Sequence, residues 1–191
     1  MSDVIKINTE DSLVQPNTPI EQFKTFELVS EQHPILREVI PEFDFKNPPV
    51  DPVEFASSMV ETCKLHRGIG LSANQCGFPY RMFVMGSGDH YVAFFNPSIV
   101  LESKTEVHMM EGCLSYPFLG LRITRPEEVA VTYQDFKGEW QQTTFSGISA
   151  RCFQHELDHM NGIVYTSKVK PLALQQGIKK RNKIMSGLRL K

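Results

Sequence analysis

His155-Glu156-Leu157-Asp158-His159 reads H-E-x-x-H. On an α-helix, residues four apart share a face, so His155 and His159 can offer two imidazoles to one metal ion. Glu156 stands beside them, placed to handle the proton of a water without being a ligand. The helix is expected to start near Ser149 and to stop at Asn161-Gly162, a C-terminal cap pair. Phe153, Leu157 and Met160 would bury it.

A catalytic zinc-type site needs a third protein ligand and an open position. The extended pattern H-E-x-x-H-x-x-G-x-x-H fits as far as Gly162, but its last position is Tyr165. From Met160 to Lys191 there is no Asp, Glu, His or Cys. The third ligand must therefore come from upstream or from another chain. The upstream thiols and imidazoles are Cys63, Cys76, Cys113, Cys152, His33, His66, His90 and His108. Cys152 shares a face with His155. Cys113 lies beside Gly112, where a second group can approach the backbone. Spacing alone does not choose between them.

Working outward, Asp51-Pro52-Val53-Glu54 is a helix start, with Asp as N-cap and Pro at the first position. Phe55, Ala56, Met59, Val60 and Cys63 then share one face to about His66, and Gly68 is expected to stop the helix. Arg81–Met85 and Tyr91–Phe95 flank a turn at Gly86-Ser87-Gly88-Asp89, and Ser98–Leu101 and Val107–Met110 read as further strands. Val129–Gln134 and Trp140–Phe145 flank Asp135-Phe136-Lys137-Gly138, a second hairpin. Ile163–Lys168 is expected as a short strand, and Pro171 opens a last helix to about Ser186. Gly177 inside it costs about 1 kcal/mol relative to Ala. Residues 1–33 are polar and weakly patterned and are expected to run as an extended, partly mobile arm ahead of a single domain over 34–191. The fold class is α+β: antiparallel β-sheets packed around a central metal-binding helix, with a C-terminal helix.

Composition fits this. The 191 residues, 41% hydrophobic and 22% charged, suit one well-buried domain. No apolar run approaches the ~20 residues that span a bilayer. The N-terminus shows neither a signal nor a transit pattern, and four cysteines without a framework suit a reducing compartment, so a cytoplasmic location is expected. Net charge is −2, but from Lys168 to Lys191 there are eight basic residues and no acidic ones. Such a tail can meet an anionic surface such as RNA.

Three segments in order resemble the signature motifs of the peptide deformylases: Gly68-Ile69-Gly70-Leu71-Ser72-Ala73-Asn74-Gln75, Glu111-Gly112-Cys113-Leu114-Ser115, and Gln154-His155-Glu156-Leu157-Asp158-His159-Met160-Asn161-Gly162. His33-Pro34-Ile35-Leu36-Arg37 is similar to an early segment of the same family. Ser72 stands where the first motif usually carries alanine, and Met160 where the third usually carries leucine. The resemblance implies hydrolytic removal of the formyl group from N-formyl-methionyl peptides, releasing formate. It selects Cys113 as the third ligand with His155 and His159, around Fe(II), with zinc, nickel or cobalt as substitutes. It makes Glu156 the proton carrier, and Gln75 and the Leu114 backbone N–H the oxyanion donors. Ile69, Gly70 and Gly112 would meet the peptide backbone, while Ile69, Ile148 and Cys152 would line the methionine pocket. Arg151 is expected at its rim. Glu111 is expected to support the site by hydrogen bonds, and Asp158 to orient a ligand or pair with a basic residue. The enzyme would act as a monomer, off the membrane, with ribosome contact through its basic tail. A zinc endopeptidase shares H-E-x-x-H but needs a different third ligand. A non-catalytic formyl-peptide binder would have no need of Glu156 and Gln75.

Overall fold

The computed structural model describes residues 24–189. Its elements are α1 (Pro52–Leu65), β1 (Gly70–Ser72), β2 (Met82–Ser87), β3 (His90–Glu102), β4 (Glu106–Cys113), β5 (Tyr116–Pro126), β6 (Glu128–Gln134), β7 (Trp140–Ser146), α2 (Gly147–Met160) and α3 (Pro171–Arg189). Short 3-10 turns lie at Pro34–Arg37, Ala73–Cys76 and Tyr165–Lys168. The strands pair antiparallel in two sheets, a five-stranded one ordered β1-β2-β3-β6-β7 and the hairpin β4-β5. This is the expected mixture of antiparallel sheets and helices closed by a C-terminal helix.

Strand β2 and the first half of β3, to Pro97, are buried on both faces, which is why their sequences are almost continuously apolar. Phe83, Met85, Val92 and Phe94 face one core, and Met82, Val84, Ala93 and Phe95 face another. The first core receives α2, whose Phe153 sits edge-on to Phe83 and Phe94, with centroids 5.1 and 5.4 Å away. Besides β2, α2 also contacts β1, β5, β6 and β7. The second core receives Phe55, Ala56, Met59, Val60 and Cys63 of α1. The Asp51 carboxylate caps that helix, accepting from the N–H groups of Val53 and Glu54 at 2.9 and 2.8 Å. Cys63 is thus a core residue.

The structure departs from the sequence expectations in several places: β1 has no counterpart in the sequence reading, and Tyr91–Phe95 and Ser98–Leu101 run as one strand, β3. Helix α1 stops where expected, capped at His66, but Arg67 rather than Gly68 takes the left-handed conformation (φ 56°), and the Gly68 N–H closes back on the Cys63 carbonyl. Strand β5 has no counterpart in the sequence reading, because Gly120 and its prolines obscure an alternation that buries Leu119, Leu121, Ile123 and Arg125. Ile163–Lys168 is no strand; Tyr165 turns inward in a 3-10 turn, its hydroxyl donating to the Leu119 carbonyl at 2.6 Å. Helix α2 begins at Gly147.

Of the expected arm, residues 1–23 lie outside the described residues. The part from Lys24 to His33 lies on the body of the protein. The Phe26 ring packs on Phe55 and Phe78, the Val29 N–H donates to the Gln75 carbonyl at 2.8 Å, and the Glu31 carboxylate accepts from Arg181 of α3 at 2.7 Å. Gly177 has a use that offsets its helix penalty. A Cβ there would lie 2.7 Å from Leu121 Cδ2 and 3.1 Å from Leu119 Cδ1, so glycine lets α3 lie close on β5.

Candidate active site

The β4-β5 hairpin delivers Cys113. Cys113 pairs with Tyr116 across the two residues Leu114-Ser115, after a register shift between Glu111 and Cys113. Such a bulge re-aims a side chain at a strand end. The Cys113 Sγ lies 3.3 Å from Nε2 of His159. His155 and His159 are presented one turn apart by α2, with ring centroids 5.2 Å apart. One ligand atom from each of Cys113, His155 and His159 falls within 4.8 Å of the others. A tetrahedral ion with bonds of about 2.0–2.3 Å needs donors at that kind of spacing.

The surroundings suit such an ion. His155 Nδ1 is 3.0 Å from Glu111 Oε2, leaving Nε2 for the metal position. His159 is 1% exposed, and its Nδ1 has no hydrogen-bond partner among the described residues. Burial pushes the His159 pKa well down, which favours the neutral imidazole that a metal requires. Burial would raise the Glu111 carboxyl, but the hydrogen bonds from His155 and Arg125 prevail and hold it well below the carboxylate range. Glu111 is gripped by Arg125 at 2.7 and 2.9 Å and by Arg151 at 2.9 Å. Arg125 also binds Asp158 at 2.7 Å, and Lys168 approaches that carboxylate at 3.1 Å. Asp158 therefore pairs with basic residues.

The expected site residues converge on one pocket of about 640 Å³. Gln75, Leu114, Glu156, Ile69, Gly70, Gly112, Ile148, Cys152, Cys113 and His155 all line it. His159 does not line it and joins the group through its contact with Cys113. Gln75 is buried, and its amide orientation is fixed by its partners. Oε1 accepts from the Ser72 N–H at 2.9 Å, while Nε2 reaches Ser115 Oγ at 3.0 Å and Cys113 Sγ at 3.3 Å. Glu156 is 4% exposed. Burial raises its carboxyl pKa, against the lowering effect of His155 and of a hydrogen bond from Ser72. Burial likewise raises the Cys152 thiol well above its usual value, so it remains an uncharged wall of the pocket. Gly112 has open space where a Cβ would stand, whereas at Gly70 a Cβ would lie 2.5 Å from Glu156 Oε1 and 2.7 Å from Cys152 Sγ. Gly70 thus makes room for Glu156 as well as for any ligand.

One expectation is corrected. Arg151 does not stand at the rim; it is buried, donating to Glu111 and to the carbonyls of Ile123 and Val107. Its charge is needed inside, against Glu111. The sequence reading missed Arg125, which the alternation Leu119, Leu121, Ile123, Arg125 would have turned inward. It also missed Met110 and Phe118, exposed apolar side chains on the pocket lining.

A half-buried thiol and two buried imidazoles within reach of one ion, beside a buried carboxylate on an apolar-walled pocket, belong to a metal-dependent hydrolase of the H-E-x-x-H type. The comparisons with known proteins specify it further. The family model for polypeptide deformylase matches residues 25–175. A peptide deformylase of Thermotoga petrophila is 42% identical over 114 residues, which is 59% of this chain and 69% of the relative. A peptide deformylase from Synechococcus elongatus, crystallised with actinonin, superposes with a TM-score of 0.76 at 27% identity, covering 95% of this chain and 94% of that one. One from Acinetobacter baumannii, bound to Met-Ala-Ser, gives 0.71 at 28% identity, covering 76% and 98%. The chain belongs to the polypeptide deformylase family. Its reaction is removal of the N-terminal formyl group from formyl-methionine of nascent polypeptides, releasing formate.

Proposed function

We propose that deformylation takes place in this pocket, with Cys113, His155 and His159 holding one divalent ion. Fe(II) is the physiological choice, and zinc, nickel or cobalt are substitutes. The observation that carries this is the meeting of three distant segments: Gln75 Nε2 and His159 Nε2 each lie 3.3 Å from Cys113 Sγ. When bound, the ion supplies Lewis acidity and lowers the pKa of water, and a thiolate among its ligands tempers that acidity and admits softer first-row metals.

The protein's residues supply the rest. Glu156 accepts the proton of the attacking water and returns it to the departing amine nitrogen. As the formyl carbon becomes tetrahedral, its oxygen gains negative charge, and Gln75 Nε2 and the Leu114 N–H are the donors that stabilise it. The Gln75 amide supports this: the Ser72 N–H holds its Oε1, which turns Nε2 toward Cys113. Glu111 keeps His155 in its ligating tautomer. The peptide lies extended against Ile69, Gly70 and Gly112, with its methionine side chain against Ile69, Ile148 and Cys152. That a relative crystallises with Met-Ala-Ser bound supports a short peptide as the ligand.

The remaining assignments follow the same reading. Helix α2 is the central metal-binding helix, and residues 34–191 form one catalytic domain. The enzyme works as a monomer in the cytoplasm. Among the described residues, no helix is long and apolar enough to cross a membrane. The basic segment from Lys168 meets ribosomal RNA, so truncation after Lys170 should weaken ribosome co-sedimentation at low salt.

The deciding experiment is formate release from formyl-Met-Ala-Ser by Fe(II)-loaded protein prepared without oxygen, beside Glu156→Ala. Release by the wild type and its loss in the variant are expected. Cleavage of an unformylated internal peptide bond instead would point to an endopeptidase.

A further inference from the structure

Ser72 occupies a position that its small size conceals. Strand alternation puts Gly70 and Ser72 on one face of β1, toward α2, and Leu71 on the other, in the core beneath α1. The two α2-facing positions both shape Glu156. Gly70 leaves the space that Glu156 Oε1 occupies. Ser72 is fully buried, and its hydroxyl lies 2.7 Å from Glu156 Oε2 and 3.2 Å from the Glu156 backbone carbonyl. A serine has one hydroxyl proton. The shorter contact, to a carboxylate, is the stronger claim on it. The backbone N–H of the same residue donates to Gln75 Oε1 at 2.9 Å. One buried residue therefore touches both the proton carrier and the oxyanion donor, from its two ends.

We infer that Ser72 is a positioning residue for deformylation: its hydroxyl holds the Glu156 carboxylate by Oε2 so that Oε1 is presented to the reacting water, while its N–H fixes the Gln75 amide. The inference rests on Glu156 as the proton carrier. Ser72 touches no substrate and acts through Glu156. Without the hydroxyl, the carboxylate is free to rotate and spends less time in the productive orientation.

Ser72→Ala removes the hydroxyl and keeps the N–H, so it isolates the side-chain half of this role. General acid–base catalysis is worth 10²–10⁴-fold, and loosening the group should forfeit part of that: kcat is expected to fall roughly tenfold. KM for formyl-Met-Ala-Ser and the metal content should stay within about twofold, the signature of a contribution made to the transition state alone. In a Glu156→Ala background the same change should cost nothing further, because the group it positions is gone. In metal-free protein, Ser72→Ala should shift the carboxylate infrared band assigned to Glu156 by its absence from Glu156→Ala. Ser72→Cys, of similar size but a weaker donor, should fall between wild type and Ser72→Ala in both kcat and band position. An unchanged kcat, an unshifted band, or a full additional loss in the Glu156→Ala background would each overturn the inference. Wild-type activity in Glu156→Ala alone would instead overturn the assignment of Glu156, and the two failures are thereby told apart.

Discussion

Arg125 should be the most costly single charge to remove. It is 4% exposed and makes three short contacts, two to Glu111 and one to Asp158. Arg125→Met keeps the length and apolar bulk but leaves two buried carboxylates short of a cation. Breaking a buried pair in this way costs about 3–5 kcal/mol. The lower end applies, since Glu111 keeps Arg151 and His155, and Asp158 keeps Lys168. In a domain of this size about 3 kcal/mol corresponds to a fall in Tm of roughly 6–12 °C. The assay is thermal unfolding of metal-free protein, so that ligand binding does not contribute to the measured stability. A second effect is expected on the loaded enzyme: a looser Glu111 should weaken metal affinity by about 10–100-fold, read by competition with a chelator. Arg181→Met is the control, because it breaks a more exposed pair, with Arg181 and Glu31 side chains 15% and 26% accessible, expected to be worth about 1 kcal/mol or less. If Arg125→Met costs no more than that control and metal affinity is unchanged, the network does not support the site in the way described.

Gly162→Ala should destabilise the protein by about 1–3 kcal/mol in denaturant titrations, since φ is +69° and a Cβ would lie 2.7 Å from the backbone oxygen of Arg37. Gly70→Ala should leave a folded protein whose kcat has collapsed, because its methyl would occupy the place of Glu156 Oε1; circular dichroism beside formate release separates the two effects. Asp51→Ala should cost about 1 kcal/mol through loss of the α1 cap and leave kcat untouched. Cys113→Ser should abolish the thiolate-to-metal charge-transfer band of cobalt-loaded protein, and retention of that band would exclude Cys113 as a ligand.

Much of this was legible in the sequence. H-E-x-x-H fixed the helical phase of His155 and His159, and the ligand-free stretch after Met160 forced the search upstream. The residues alone did not choose Cys113, because bringing β4 to α2 is a tertiary event that spacing does not encode. The resemblance chose it, and the structure brings its Sγ within 4.8 Å of a ligand atom of each histidine. Arg125 was hidden by a missed strand: once β5 is seen to alternate, an arginine on its buried face demands carboxylate partners. Arg151 was misplaced because arginine is ordinarily a surface residue, and only the buried Glu111 explains it. Ser72 registered as a small change in size. That its hydroxyl meets a residue 84 positions away is visible only in three dimensions.

The contact between Glu31 and Arg181 joins residues 150 positions apart. Synthesis runs in one direction, so Glu31 leaves the ribosome long before its partner exists. Val29, two residues from Glu31, rests on the carbonyl of Gln75. One short segment thus touches the turn that carries Gln75 through Val29 and the last helix through Glu31. The Glu31–Arg181 contact can form only once α3 has been translated, so it is among the last contacts open to this chain.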